Sequence, residues 1–392
     1  MDESEETVMM PLWHQVLLRI ADALWSCLVV FPLCVIYWSS TWKLMDAYLI
    51  PDINWASGAA SLAIGVVFGI AGYIVLPLLK RCVSPGFAAR HIIISRIYLY
   101  VHCFVALSFW RGIWTLMDEF ATKHWKPSLI CACVATVIVL CCRSICQGFT
   151  TPYEVTLDNR SNFYSPSPRF RTSWETHRPA AYILDGVFSH LVIVHLCIQI
   201  WRGLWNFFDA FLLPGPDQLL MSYFVSLGLG YGMFVVLCSM QYLFYYIAKR
   251  LHRKHPMLEL VFQDVVALYI VLGTVMCWRG GWGLFKDYVL VEEWHFVVCH
   301  VVGFIALASL HIASTIDIVG VSVDAETGQG AEMILKLDYF LHLYTWWQNR
   351  NTNQMLISEE QESDDPYFID PYDDESWGSS RPINYNSGVI NS

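Results

Sequence analysis

Arginine and aspartate recur beside paired tryptophans in this chain, and charged side chains in that setting can bind one another or bind ions. Three copies of the motif read Trp-Arg-Gly-x-Trp, a fourth is diverged, and in three copies an aspartate stands eight residues after the first tryptophan. The residues concerned are Trp38, Trp42 and Asp46; Trp110, Arg111, Gly112, Trp114 and Asp118; Trp201, Arg202, Gly203, Trp205 and Asp209; and Trp278, Arg279, Gly280, Trp282 and Asp287. A charge inside a membrane is costly unless it is paired, so these groups are expected to find partners.

The spacing decides which partners are available. An arginine and the aspartate of its own copy are seven residues apart, and the helical rise of about 10 Å over that distance strains a direct pair. Pairing between adjacent copies is therefore expected, in a ring of Arg111, Arg202 and Arg279 with Asp46, Asp118, Asp209 and Asp287. The ring is interpreted either as a structural clasp or as a device that handles ions or solutes. The tryptophan pair has a further interpretation as an indole anchor at the lipid headgroups.

Two copies depart from the pattern. The first copy is Trp38-Ser39-Ser40-Thr41-Trp42 and has neither the arginine nor the glycine. The fourth copy has Lys286 where the acid is expected, and Asp287 follows one place later. In the regular copies the glycine is expected to let a neighbouring helix approach closely.

The elements that must position these motifs are membrane-spanning helices. Hydrophobic residues make up 56% of the chain, charged residues only 15%, and the mean hydropathy is +0.43. Apolar runs of about 20 residues, enough to cross a bilayer, recur along the sequence. The pattern predicts eight spans, at 17–38, 59–79, 92–114, 126–146, 181–205, 219–247, 258–282 and 294–317, with a motif closing each odd-numbered span.

The fold predicted from these spans is all-α, with four parallel two-helix repeats in a pseudo-fourfold arrangement. The repeats cover 17–79, 92–146, 181–247 and 258–317 within a membrane domain of residues 17–318. Because each repeat returns the chain to its starting side, the repeats are related by an axis along the membrane normal.

Orientation follows from the basic residues. The three loops after even-numbered spans carry twelve Lys and Arg residues, and the loops after the motifs carry seven even when the motif arginines are included. The positive-inside rule then places both termini in the cytosol and the motifs on the outer face. The first span is expected to serve as the targeting signal.

Other polar and reactive side chains lie within or at the ends of the predicted spans. Arg96 can join Asp185 or Asp264 in a buried network, which is interpreted as structural, with a proton or ion path as the alternative. The histidines of the spans are too far apart on their helices to share a metal or haem, so no cofactor is expected. Cys82, Cys141, Cys142 and Cys146 stand at the predicted cytosolic span ends, where they are palmitoylation candidates or packing residues.

Several function classes are disfavoured. The chain lacks a phosphate-binding glycine loop and the common motifs of membrane hydrolases and transferases, so enzymatic activity is not expected. A formal net charge of −10 argues against nucleic acid as a partner.

The segments outside the spans are predicted to be cytosolic and to bind partners. Residues 1–16 form a short tail, and the loop 148–179 is rich in Ser, Pro and aromatic residues that should not bury a core. Within the tail 319–392, residues 332–347 are predicted to form an interfacial helix, and an acidic, disordered end follows. Partner proteins are expected to bind through 148–179 and 356–392, although a plain linker and a solubilising tail are equally open alternatives.

The eight predicted spans and the Trp-Arg-Gly-x-Trp copies at 110–114, 201–205 and 278–282 resemble the Fuseless family of eight-pass membrane proteins. The resemblance covers about residues 15–320. It implies a presynaptic plasma-membrane protein that supports voltage-gated calcium channels and neurotransmission, with no enzymatic activity.

The sequence as a whole therefore predicts a non-enzymatic membrane accessory or organiser protein. The alternative from another class is a transporter or channel with its path along the repeat axis, and an integral-membrane enzyme ranks third. A path would need polar residues along its whole length, whereas an organiser would have a packed centre.

Overall fold

The computed structural model describes residues 12–82, 88–121, 123–158, 167–174, 178–317, 320–324 and 333–348. These residues are helical or irregular, and none of the described residues is in a β-strand. Most of the predicted tail 1–16 and all of the acidic segment 356–392 lie outside the described residues, as does the middle of the loop 148–179.

Eight long helical elements follow one another along the chain. We number them α1 (Leu12–Trp25 and Phe31–Tyr48, joined by a π-helical turn at Ser26–Val30), α2 (Asn54–Cys82), α3 (Ala88–Phe120), α4 (Trp125–Cys141), α5 (Pro179–Phe188 and His195–Phe211, joined by a π-helical turn at Ser189–Val194), α6 (Leu219–Lys254), α7 (Pro256–Leu284, continued by a π-helical turn at Phe285–Val289) and α8 (Glu293–Ser309).

Six of these helices are long and apolar enough to cross a membrane: α1, α2, α3, α5, α6 and α7. The other two, α4 and α8, are apolar but have 17 residues each. Helices suit this setting because they satisfy their backbone hydrogen bonds internally, which lipid cannot do.

The helices pack in four pairs that do not follow the sequence repeats. The most extensive contacts join α2 with α3, α4 with α5, α6 with α7, and α8 with α1. Each even-numbered helix thus packs against the odd-numbered helix of the next repeat, and α8 returns to the first. The four odd-numbered helices also contact one another in the order α1, α3, α5, α7 and back to α1. Every repeat is therefore held by its two neighbours.

The helices run further than the sequence predicted. The motifs do not close their helices, because α3 continues past Trp114 to Phe120 and α5 continues past Trp205 to Phe211. The motif arginines are almost fully buried among helices and bond to side chains there. Neighbouring helices supply the hydrogen bonds that these buried arginines need, so the helix can continue past the motif.

The first part of the loop 148–179 packs into the helical bundle, which its composition did not indicate. Thr151, Tyr153, Val155 and Thr156 are buried, although their segment has no regular structure. The Tyr153 hydroxyl donates to the carbonyl of Gly230 on α6, at 3.0 Å. This segment finds its apolar contacts between the helices, so it has no need of a core of its own. We call the face of the bundle that it fills the loop face, and the opposite one the motif face.

The end of the membrane domain also differs from the prediction. Helix α8 stops at Ser309, and the chain then enters the bundle as a short 3-10 turn, Ala313–Thr315, whose residues are buried. The predicted helix 332–347 begins only at 339 and runs to 348. Met333 and Leu337, which were predicted to belong to an interfacial helix, are instead buried in chain that is not α-helical. Residues beyond Leu341 belong to a separate unit, of which the structure describes a helical stretch, 342–348.

Candidate functional site: a tryptophan-lined core

The eight motif tryptophans form two closed rings of edge-to-face contacts. The first ring joins the leading tryptophan of each copy, with centroid separations of 5.5 to 5.9 Å from one ring member to the next. The second ring joins the closing tryptophans, at 5.5 to 6.3 Å. Their members are Trp38, Trp110, Trp201 and Trp278 in the first ring, and Trp42, Trp114, Trp205 and Trp282 in the second. Edge-to-face indole pairs add about 0.5–1.5 kcal/mol each beyond the area they bury.

The first ring is bonded to the chain on the loop face. Its indole N–H groups donate to backbone carbonyls from Trp38 to Ile316 at 2.9 Å, from Trp201 to Gly148 at 3.2 Å and from Trp278 to Thr151 at 2.8 Å. The interpretation of the motif tryptophans as headgroup anchors is therefore wrong for these three. Their N–H groups meet protein carbonyls because the loop-face segments enter the bundle.

Arg111 shows how a motif arginine is held. Its Nε and Nη2 donate to Asp46 Oδ1 at 3.0 and 2.9 Å, and its Nη groups also donate to the hydroxyls of Ser57 and Ser61 on α2. The arginine of the second repeat thus lies between the two helices of the first. Its guanidinium is almost fully buried, while Asp46 is about half exposed.

The next two copies repeat this arrangement. Arg202 Nε donates to Asp118 Oδ1 at 2.9 Å, and Arg202 Nη1 donates to Ser128 Oγ on α4 at 3.2 Å. Arg279 Nε donates to Asp209 Oδ1 at 2.7 Å, and its Nη2 donates to Ser222 Oγ on α6 at 2.9 Å. All three pairs therefore join each repeat to the one before it, which is the inter-repeat pairing that the spacing predicted.

The motif glycine lets these helices come close. A Cβ on Gly203 would lie 2.6 Å from the carbonyl oxygen of Ser128, and one on Gly112 would lie 2.6 Å from Leu62 Cα. A Cβ on Gly280 would lie 2.6 Å from the carbonyl oxygen of Tyr223. In each case the obstacle is main chain of the preceding even-numbered helix, so only glycine fits between the two helices.

The ring of ion pairs has one seam, between the fourth repeat and the first. Ser39 replaces the arginine there, and its hydroxyl donates to the carbonyl of Val35 in its own helix at 2.7 Å. Asp287 has no motif arginine beside it and accepts from the hydroxyl of Tyr223, at 2.8 Å. The predicted pairing of Asp287 with a motif arginine is wrong, because the first copy supplies a serine instead.

A different polar contact joins α8 to α1 at this seam. The Thr41 hydroxyl lies 2.7 Å from His300 Nδ1, and His300 Nε2 lies 3.0 Å from the hydroxyl of Tyr100 on α3. Tyr37 stacks on the His300 ring with centroids 5.0 Å apart. Hydrogen bonds and ring stacking thus take the place of the arginine–aspartate pair where the motif has diverged.

The buried network near the loop face differs from the prediction. Arg96 forms an ion pair with Asp158, not with Asp185 or Asp264, and Asp158 also accepts from the backbone N–H of Ser314 at 2.8 Å. Asp185 instead accepts from the Thr172 hydroxyl at 2.8 Å. Asp158 lies in the loop 148–179, which was predicted to lie outside the membrane domain's spans.

The serines that hold the arginines were missed by the sequence analysis. Ser57, Ser61, Ser128 and Ser222 stand near the start of successive even-numbered helices, and all four are buried. A hydroxyl recurring at a similar place in three spans is a signal that a comparison of the repeats could have found. Serine is common in membrane helices, however, and carries little information by itself.

A cavity of about 600 Å³ adjoins the two tryptophan rings. On the motif face its rim includes Lys43, Asp46, Asp118, Lys123 and Lys286. From the rings it extends between α2, α3 and α5 as far as Asp317, which follows the buried turn Ala313–Thr315. Among the residues that the structure describes, no group of three His, Cys, Asp or Glu side chains is placed to hold a metal ion.

These features define a polytopic helical membrane protein whose core is built from one repeated motif. The chain belongs to the Fuseless family, whose model matches residues 17–316. That range begins within α1, ends just beyond α8, and includes all four motif copies. No curated protein and no solved structure matches this chain.

Proposed function

We propose that this protein is a non-enzymatic accessory or organiser of a larger membrane complex. In this proposal it crosses the plasma membrane eight times in a pseudo-fourfold bundle, with both termini in the cytosol. The resemblance described above further favours a presynaptic location and a voltage-gated calcium channel as the partner. Lipid bilayer and cytosolic proteins complete the set of proposed partners.

One observation carries the proposal: packed and hydrogen-bonded groups close the bundle axis at the tryptophan rings, and the cavity beside them is lined largely by aromatic and apolar side chains. The two tryptophan rings close around it, and loop-face carbonyls bond three indole N–H groups of the first ring. The three buried arginines form ion pairs with aspartates of neighbouring repeats. Such a centre supports a rigid scaffold, because a permeation path needs polar groups along its whole length.

The two 17-residue helices are compatible with eight spans. Each packs along a longer helix, α4 on α5 and α8 on α1. About 20 residues cross a typical hydrocarbon core, and shorter helices are accommodated by local thinning of the bilayer. Both helices also lead from the motif face to the loop face, as an even number of crossings requires.

The loop face supports a role in partner binding. Segments from three parts of the chain are packed together there: Val155 N–H donates to the Lys336 carbonyl at 3.2 Å, and Asp324 accepts from the N–H groups of Ile145 and Cys146, both at 2.9 Å. A folded layer presents a fixed surface, which costs less entropy to bind than a flexible one.

Transport or conduction is the second candidate, and the cavity is the observation that favours it. A charged rim that leads to tryptophan-lined space resembles an outer vestibule. For conduction the loop-face segments around Gly148 and Ile316 would have to leave their tryptophan partners. The closed contacts described above therefore favour the organiser.

Topology is the first test. Epitope tags at both termini should be accessible only after permeabilisation, and tags near Asp52 or Asp217 should be accessible on intact cells. An extracellular terminus would contradict the eight-span topology.

Partner recovery is the second test. The full chain and a variant lacking residues 356–392 are each purified from cells that express a voltage-gated calcium channel. We expect the full chain to recover the channel, and the variant to recover less of it while giving the same yield of membrane protein. Failure of the full chain to recover the channel would remove the calcium-channel assignment.

A further inference from the structure

The part of the cavity that lies away from the bundle axis has a lining suited to a lipid. It is bounded by small or apolar residues from three helices: Gly69 and Gly72 of α2, Val105 and Ala106 of α3, and Val194 and Cys197 of α5. We call this space the side pocket. Apolar walls between membrane helices exclude ions and favour hydrocarbon.

The side pocket reaches open space beside α2. A Cβ placed on Gly72 would meet no heavy atom within 4 Å, so this helix face borders empty volume. Phe68 and Val75, one turn to either side, line the same cavity and are 56% and 44% exposed. In a membrane that exposed side of the helix faces lipid. A hydrophobic molecule can therefore enter from the bilayer.

A polar pair faces this space, which Tyr98 and His190 also line. His102 Nε2 and Asp317 Oδ2 lie 3.1 Å apart, and both side chains are about one quarter exposed. Both residues line the cavity. A carboxylate accepts hydrogen bonds, so Asp317 can bind a hydroxyl donor and repels a phosphate or a fatty-acid carboxylate.

The depth of the His102–Asp317 pair in the membrane is a second reason why the side pocket should not bind a charged headgroup. His102 lies near the middle of α3, which runs from Ala88 to Phe120. A charge brought to that level must be desolvated, which is costly unless an opposite charge receives it. A single hydroxyl is far less costly to bury when it is hydrogen-bonded.

We propose that the side pocket binds a sterol, with its hydroxyl group donating to Asp317 and its ring system lying against Gly72 of α2 and Val105 of α3. The side pocket is part of a cavity of about 600 Å³, and pockets of that order enclose a single compact ligand. A rigid ring system also loses little conformational freedom on binding. The function proposed above does not require this site.

The test uses photolabelling of the purified full chain in detergent micelles. The probe is a cholesterol analogue that carries a photoreactive diazirine, an alkyne tag and a free hydroxyl group. Gly72→Leu fills the side pocket without a main-chain clash, and Gly228→Leu is the matched control, because a Cβ there also meets nothing within 4 Å but lies outside the cavity.

We expect saturable labelling that unlabelled cholesterol displaces. Labelling should fall about tenfold in Gly72→Leu, because overpacking of a pocket commonly costs more than the free energy of one decade in affinity, and it should stay unchanged in Gly228→Leu. Cholesteryl methyl ether, which lacks the hydroxyl donor, should displace the probe poorly. The labelled peptides should come from α2 near Gly72 or from α3 near His102, a readout that does not depend on how the variants fold.

Three results would overturn the proposal. The first is equal labelling of Gly72→Leu and Gly228→Leu when both are monodisperse. The second is displacement of the probe by phosphatidylserine as effectively as by cholesterol, which would make this a phospholipid site. The third is labelling confined to peptides that do not line the side pocket.

Discussion

Arg202 Nε lies 2.9 Å from Asp118 Oδ1, although the two residues are 84 positions apart and belong to successive repeats. The same relationship joins Arg111 to Asp46 and Arg279 to Asp209. Each arginine is almost fully buried and each acid lies nearer the surface. The motif is therefore a device for joining repeats, and its tryptophans and glycine belong to the same contact.

Removal of one arginine should destabilise the bundle. Arg202→Ala strips Asp118 and Ser128 of their common donor, and breaking a buried pair typically costs about 3–5 kcal/mol. We expect a lower yield of monodisperse protein and a lower Tm in detergent. The control is Arg253→Ala, because Arg253 is exposed near the end of α6. Equal Tm values for the two variants would contradict the clasp.

A single methyl group should have a comparable effect at the motif glycine. Gly203→Ala places a Cβ 2.6 Å from the Ser128 carbonyl oxygen, so α4 and α5 must separate or shift. Such overpacking commonly costs about 1–3 kcal/mol, and the Tm should fall. Gly228→Ala makes the same change at a helix position where the new Cβ meets nothing within 4 Å. Equal Tm values for Gly203→Ala and Gly228→Ala would contradict the claim that the motif glycine is needed for close helix approach.

Cys146 should be the least reactive of the palmitoylation candidates whose side chains are described. Burial raises the pKa of its thiol well above the ordinary value, and the nearby Asp324 carboxylate raises it further. The thiol stays neutral at about pH 8.5, where an exposed thiol is half ionised, and the thiolate is the reactive form. Iodoacetamide at that pH should therefore modify the exposed Cys141 well before Cys146, as read by peptide mass spectrometry. Faster modification of Cys146 would contradict the packed loop face.

The inter-repeat pairing could be predicted from the sequence because it depends on helical geometry alone. Seven residues separate Arg202 from Asp209 along one helix, too far for a direct pair, and the repeat supplies an equivalent acid on the neighbouring helix. The general positions of the spans follow from hydropathy in the same way. What hydropathy could not indicate is how far α3 and α5 continue beyond their motifs, because that depends on partners in other helices.

The structure of the loop face could not be predicted, because contacts with residues distant in the sequence stabilise it. The composition of the loop 148–179 predicted only that it would not bury a core of its own. In the structure Asp158 finds Arg96 on α3, and the carbonyls of Gly148 and Thr151 receive indole N–H groups from α5 and α7. These partners are distant in sequence. A deletion of 148–179 is accordingly expected to disrupt the membrane core and not only partner binding.

The contact that closes the seam between the fourth repeat and the first could not be predicted either. The replacement of arginine by Ser39 was visible in the sequence, but the contact that takes its place uses Thr41 of α1 and His300 of α8. Nothing in the spacing of these residues marks them as partners. Only the return of α8 to α1 brings them together.

The measurement that tests the central claim most directly is ion flux through liposomes that contain the purified full chain. A scaffold whose axis is closed at the tryptophan rings should carry no cation flux above that of empty liposomes. Asp118→Asn and Asp209→Asn should leave that background unchanged, since both acids serve to hold arginines. A cation flux through the native protein that these two substitutions abolish would contradict the organiser proposal and establish a conduction path past the tryptophan rings.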